Sequence, residues 1–247
     1  MSVSSMRNMN NVMTLEERRQ ELIAKNLSAN GLAGYKKEVL AINANQETGK
    51  VSGYKSVDFD QGGLKRTNRS LDVAISGDAF FEVKSPDGKT FYTRNGSFIL
   101  DTDRKLLTSD GFSIQASGAD QATRGLQLNP GDDVNNLTLT SDGTFNIIDG
   151  ITGLSREVGK LKLVTFKKND KLERRSASYF SNNSSDNIQS NKEATFKVIN
   201  NMLETSNGTP VKEMVSMVQS MREFEMGQKI MNMLSDQFKM EQQKLTK

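Results

Sequence analysis

The chain has 247 residues, enough for one or two domains at roughly 150 residues each. Hydrophobic residues make up 35%, which argues against a wholly disordered chain. The 33 basic and 30 acidic side chains leave a net charge of only +3, too even to make nucleic acid the default partner. With no His and no Cys, the chain cannot build a His- or Cys-based catalytic triad, a zinc, haem or iron–sulfur site of those ligands, or a disulfide. The reading is therefore no enzyme, no cofactor and no metal.

No run reaches about 18 uninterrupted apolar residues, so membrane insertion is not expected. The N-terminus, polar at Arg7, Asn8, Asn10 and Asn11, lacks the apolar centre of a cleaved signal peptide. Residue types divide the chain. All 12 Met lie at positions 1 to 13 and 202 to 240, whereas 17 of the 19 Gly fall between Gly31 and Gly159. The ends and the middle therefore solve different packing problems, and the expected fold is mainly β with long N- and C-terminal α-helices.

In chain order, residues 1–42 read as an N-terminal helical arm. Met6, Met9, Met13, Leu22, Ile23 and Leu27 mark one helix that stops at a left-handed cap on Asn30-Gly31. Thr14 with Glu17 also fits a capping box, which would start the helix there instead. Residues 43–62, rich in Gly, Asn, Gln and Ser, read as an extended connector.

Residues 63–195 read as an antiparallel β domain, because apolar residues alternate with polar ones. Leu71, Val73 and Ile75 alternate with Ser70, Asp72, Ala74 and Ser76, and Leu161 and Leu163 with Lys160 and Lys162. Asp87-Gly88 and Asp142-Gly143 predict two tight hairpins, since glycine accepts positive φ. A parallel sheet would need helical crossovers that this stretch lacks.

Residues 196–247 read as the C-terminal helical arm, with Thr209 as cap and Pro210 in the first turn. Val211, Met214, Val218 and Met221 follow a 3-4-3 spacing. After a shift near Phe224 and Gly227 the stripe resumes at Met231, Leu234, Phe238 and Leu245, a coiled-coil-like seam with one phase slip. From Pro210 to the end the rod would be roughly 55 Å long. Two such arms either close a hairpin within one molecule or pair with neighbouring copies.

Three polar features carry candidate chemistry. Asp101 and Asp103 open like a calcium loop, but Leu106 stands where that loop needs Gly. Asp132 and Asp133 are an adjacent carboxylate pair, and adjacent residues point apart, which does not suit glycoside cleavage. Seven basic residues between Lys160 and Arg175 read as a water-facing strand and turn rather than as a site for an acidic partner.

Three ordered blocks resemble the bacterial flagellar rod and hook proteins. The first is Asn26-Leu27-Ser28 followed by Gly34-Tyr35-Lys36-Lys37, departing from the family pattern at Ala29 and Leu32. The second runs from Ser70 to Val83 and on through Tyr92-Thr93-Arg94-Asn95-Gly96-Ser97-Phe98. Within it Leu71, Asp72, Gly77, Phe80, Phe81, Tyr92, Arg94, Gly96 and Phe98 match the motif. The third holds Leu203-Glu204-Thr205-Ser206-Asn207, Glu213-Met214-Val215 and Arg222-Glu223-Phe224-Glu225, with Asn200-Asn201 where the family usually has Gln-Gly.

The resemblance implies a structural subunit of the flagellar basal-body rod, periplasmic and exported by the flagellar export apparatus without a cleaved signal peptide. Its partners would be other copies of itself and adjoining rod proteins. Length and the short connector favour a rod protein over the longer hook protein. The implied assembly interface is the apolar set Met6, Met9, Met13, Leu22, Ile23, Leu27, Val211, Met214, Val218, Met221, Phe224, Met231, Leu234 and Phe238. A secreted β-domain binder or adhesin with helical arms, and a carbohydrate-active enzyme, are the other function classes.

Overall fold

The computed structural model describes residues 3–44, 51–117, 125–148, 153–184, 187–189 and 196–245. The chain forms two compact units: one from Met1–Asn30, Lys37–Asp58 and Gly208–Lys247, the other from Gly31–Lys36 and Phe59–Asn207.

The first unit is built on two helices and a hairpin. Helix α1 spans Val3–Ser28. Thr14 lies inside it, its hydroxyl donating to the Asn10 carbonyl oxygen at 3.0 Å, so the expected capping-box start at Thr14 does not occur. The helix ends through Ala29 N–H to Lys25 O and Asn30 N–H to Leu27 O. Gly31 is not left-handed; the first left-handed glycine after the helix is Gly34, at φ 66°.

Strands β1 (Glu38–Ala44) and β2 (Val51–Val57) pair antiparallel from Glu38↔Val57 to Ala44↔Val51. The connector expected over 43–62 thus contains a hairpin strand, and 45–50 lie outside the described residues. Apolar Val51 and Val57 and β-branched spacing carried too little signal among Gly and Ser to show it.

Helix α2 spans Pro210–Leu245, 36 residues and about 54 Å long. Pro210 takes the first helical position, and the Thr209 carbonyl accepts from Glu213 N–H at 3.0 Å. The two helices run antiparallel. Ser220, fully buried, donates to Glu16 Oε2 at 2.9 Å, and Arg19 pairs with Glu223 at 3.2 Å. On α1, Leu15, Leu22 and Ile23 are buried.

In the second unit every described strand pairing is antiparallel. The larger sheet is centred on Phe80–Lys84, flanked by Thr90–Thr93 on one side and Ser113–Ile114 on the other. A smaller sheet carries Leu137–Leu139, Thr144–Ile148, Ser155–Leu161 and Ala116–Ser117. Both Asp-Gly hairpins form, with Gly88 at φ 82° and Gly143 at φ 89°.

The one-buried-face pattern does not hold everywhere. Val73, Ala74 and Ile75 are all buried, as is Asp72, because this strand is covered on both faces. It pairs with Lys197–Asn200, and Leu64–Arg66 pairs with Met202–Glu204. The C-terminal helical arm therefore begins at Pro210 and not at 196. Between these two strands the chain turns at Asn201, left-handed at φ 57°, a conformation asparagine tolerates better than most residues. The core gathers Val73, Ile75, Phe81, Phe98, Leu106, Ile114, Phe145 and Leu161.

Candidate functional site

Two arrangements stand out, one in each unit. The β unit holds a buried charge cluster drawn from three distant parts of the sequence. Lys36 Nζ lies 2.6 Å from Glu204 Oε1, and Arg94 Nη1 lies 3.4 Å from Glu204 Oε2; all three side chains are within 2% of complete burial. The remaining polar atoms are largely engaged. Glu204 Oε1 also accepts from Gly62 N–H at 2.9 Å, Lys36 donates to the Asp60 carbonyl at 2.7 Å, and Arg94 Nη2 donates to the Gly77 carbonyl at 2.6 Å. Burial lowers the Arg94 pKa, while the charges of Glu204 and Asp78 act to raise it.

The strap Gly31–Lys36 reaches this cluster through glycine. Gly34 is left-handed, its N–H donates to the Glu204 carbonyl at 2.7 Å, and a Cβ there would overlap the Arg94 carbonyl carbon and the Asn95 nitrogen. Tyr35 is buried with the Arg174 guanidinium 4.8 Å from its ring centre, and Arg174 donates to the Lys36 carbonyl. Arg94 stacks on Phe80 at 4.8 Å.

Most other motif residues sit beside this clasp. Val73 N–H donates to the Gly96 carbonyl at 3.0 Å, Phe98 N–H to Leu71 O at 3.4 Å, and Ser97 Oγ to Asp72 Oδ1 at 3.4 Å. Phe81 and Phe98 meet edge to face at 5.2 Å, and Tyr92 and Phe166 at 4.8 Å. Burial and the Glu82 charge push the Tyr92 phenol up to about 12. Asn26 belongs to the helical unit, where its amide brackets Glu38 by bonds of 2.8 and 2.9 Å to the backbone O and N–H.

The second arrangement is the pair of faces on α2. Glu213, Met217, Ser220, Phe224, Gly227, Met231 and Leu234 turn toward burial in alternating steps of four and three residues, flanked by the half-buried Ser216 and Ser235. Ser220 and Gly227 make room: a Cβ on Gly227 would lie 3.3 Å from Met13 Cγ. At about 100° per residue, Val211, Val218, Met233 and Met240 lie on the opposite side, with Met214 and Met226 beside them and Met221 and Ile230 on the two flanks. They are exposed by 43% (Ile230) to 66% (Met233).

The expected seam thus divides. Phe224, Met231 and Leu234 fall on the half-buried side, whereas Val211, Met214, Val218 and Met221 lie outward, and the phase slip is the step from one stripe to the other. On α1, Leu22 and Ile23 are buried and Met6, Met9, Met13 and Leu27 half-buried. The side chain of Phe238 lies outside the described residues.

The polar candidates have local partners. Asp101 Oδ1 accepts from Lys105 N–H at 2.8 Å. Asp132 pairs with Arg156 at 2.6 Å, and Asp133 caps a short 3-10 turn through Asn135 N–H at 2.9 Å. Lys160 pairs with Asp142 at 2.8 Å and Lys162 with Glu82 at 2.7 Å, so the basic run is partly ion-paired rather than merely solvated. Lys36 and Glu204 were not singled out from sequence as a site. Each lies in a motif block, but nothing local pairs residues 168 positions apart.

Residues 74–147 match the family model described as the flagellar hook protein FlgE/F/G D1 domain, and residues 199–240 match that of the flagellar basal body rod FlgEFG protein C-terminal region. The flagellar basal-body rod protein FlgG of Buchnera aphidicola subsp. Acyrthosiphon pisum is 32% identical over 175 residues, covering 68% of this chain and 63% of the relative. FlgG of Borreliella burgdorferi is 26% identical over 246 residues, 88% of this chain and 89% of the relative. The flagellar hook protein FlgE of Brucella abortus is 34% identical over 125 residues, 47% of this chain and 32% of the relative.

The chain belongs to the flagellar rod and hook family. It spans just under two thirds of the length of the Buchnera relatives it matches. Both matched segments of this flagellar protein feed the clasp: Arg94 lies in the first and Glu204 in the second. Lys36 precedes both, so the cluster joins the family's D1 and C-terminal regions to the Gly-Tyr-Lys strap of the N-terminal block.

Proposed function

We propose that this protein is a structural subunit of the flagellar basal-body rod that polymerises through its terminal helices and transmits torque. The observation that carries the proposal is the second apolar face of α2, which remains exposed on the side away from α1. One stripe is used inside the molecule and one is left over. A surface of this extent, repeated head to tail with a rise and a rotation, builds an open helical assembly rather than a closed ring. Methionine suits it, because a flexible thioether side chain repacks against neighbours that differ slightly.

The partners on this reading are other copies of the chain and adjoining rod proteins, in coiled-coil-like contact, at a periplasmic location reached through the flagellar export apparatus. The run Val158-Gly159-Lys160-Leu161-Lys162-Leu163-Val164 and the Phe224-Glu225-Met226 sequence resemble the proximal-rod protein FlgF. That resemblance supports a proximal position. The distal-rod protein FlgG, whose name several matched relatives carry, is the alternative, and site-specific cross-linking to neighbours in isolated basal bodies separates the two.

The test of assembly is Met214→Asp combined with Met221→Asp. Both side chains are about half exposed, so the variant folds, with circular dichroism and thermal midpoint close to those of the parent chain. Incorporation into basal bodies and motility are expected to be lost. Wild-type incorporation of the folded variant rejects the proposal.

A further inference from the structure

We propose that the outward methionines of α2 form an oxidation site, at which hydrogen peroxide acts on the unassembled subunit and blocks its assembly. The proposal rests on the assembly reading above for its consequence, but the site itself stands on composition and exposure. The chain has no Cys and no Trp, so thioethers are its only sulfur atoms and its most readily oxidised side chains. They are not spread at random. Met214, Met221, Met226, Met233 and Met240 all lie on the exposed face, each 49–66% accessible, whereas Met217 and Met231 on the same helix are half-buried on the α1 side.

The chemistry is a two-electron oxygen transfer. The methionine sulfur lone pair attacks one oxygen of hydrogen peroxide, the O–O bond breaks as the S–O bond forms, and the departing hydroxide takes up the remaining proton. One thioether and one peroxide give one sulfoxide and one water. Sulfur is oxidised and the peroxide oxygen reduced, with no further reactant. The product is a polar acceptor on a flexible side chain, placed among the exposed Val211, Val215 and Val218 in the first turns of the helix and among Arg222, Glu225 and Lys229 further along. Burying it against an apolar neighbour leaves that acceptor without a donor, which is expected to weaken the contact roughly fivefold or more for each sulfoxide enclosed. A subunit already in a rod has these sulfurs covered, so sensitivity belongs to the period before assembly.

The experiment treats the dilute full-length chain with hydrogen peroxide, maps added oxygen by peptide mass spectrometry, and measures self-association by sedimentation before and after. The five outward methionines are expected to oxidise several-fold faster than Met217 and Met231, and association to fall in step and to return after treatment with methionine sulfoxide reductase. A variant with all five replaced by leucine, taken with its own untreated sample as reference, is expected to show no peroxide effect. Equal oxidation of inward and outward methionines overturns the site, and undiminished association of the oxidised chain overturns its consequence. If the untreated chain does not associate at any concentration, the rod-assembly reading itself fails, whatever the oxidation map shows.

Discussion

Glu204 is the residue on which the β unit's charge cluster turns, since its carboxylate faces both Lys36 and Arg94 out of solvent. A buried ion pair is not by itself a source of great stability, because desolvation offsets most of the attraction; removing one partner is costly because the other charge stays behind. Glu204→Gln is therefore expected to destabilise the chain by about 3–5 kcal/mol in urea unfolding, and Lys36→Met added to it to recover part of the loss. A change under about 1 kcal/mol would show that the cluster is not uncompensated by the amide. The exposed pair at Asp142 behaves differently. Its hydrogen bond from Lys160, and then those involving Thr140 and Thr144, hold its carboxyl well below the usual carboxylate range. A depressed folded pKa gives stability that is full above the unfolded value of about 3.9 and is lost as pH falls through the folded value. Asp142→Asn is expected to cost roughly 0.2–1 kcal/mol at neutral pH, the deficit shrinking on acidification below about pH 4. A deficit that grows in acid contradicts this sign.

At the scale of elements, α2 shows how a periodic pattern is read correctly and assigned wrongly. Two apolar stripes wind along one helix, and spacing detects both without saying which one α1 covers. The choice is made by Ser220 and Gly227, whose small side chains let the helices approach and leave space for Met13. Gly227→Leu is expected to cost about 1–3 kcal/mol through overpacking, seen as a lowered thermal midpoint of the helical signal. An unchanged midpoint would place α1 elsewhere. The Asp-Gly hairpins and the stop at Pro210 were legible because turn and cap chemistry is local. The hairpin β1–β2 was not, because β2 is polar and contains Gly53, and the pair is held by Asn26 and by a helix packed on it.

For the molecule as a whole, the outward stripe of α2 sets the expected mode of association. Its first part, from Val211 to Met221, carries few charges, so the contact made there should follow apolar burial rather than ion pairing. Ammonium sulfate, excluded from protein surface, is expected to strengthen self-association of the full chain, as measured by sedimentation equilibrium across a salt series. Association that weakens steeply with salt would mean that charged side chains carry the contact instead.

The sequence by itself determined the class of fold, the two helical ends, the antiparallel middle and the family, because composition, turn residues and motif blocks are properties of contiguous stretches. Tertiary structure alone decided three things. It brought Lys36, Arg94 and Glu204 into one dry cluster, moved strands 197–204 into the β unit, and chose which stripe of α2 to cover. Each depends on residues far apart in the chain meeting at close range, and burial, which gives a charge or a methyl group its energetic weight, exists only once they have met.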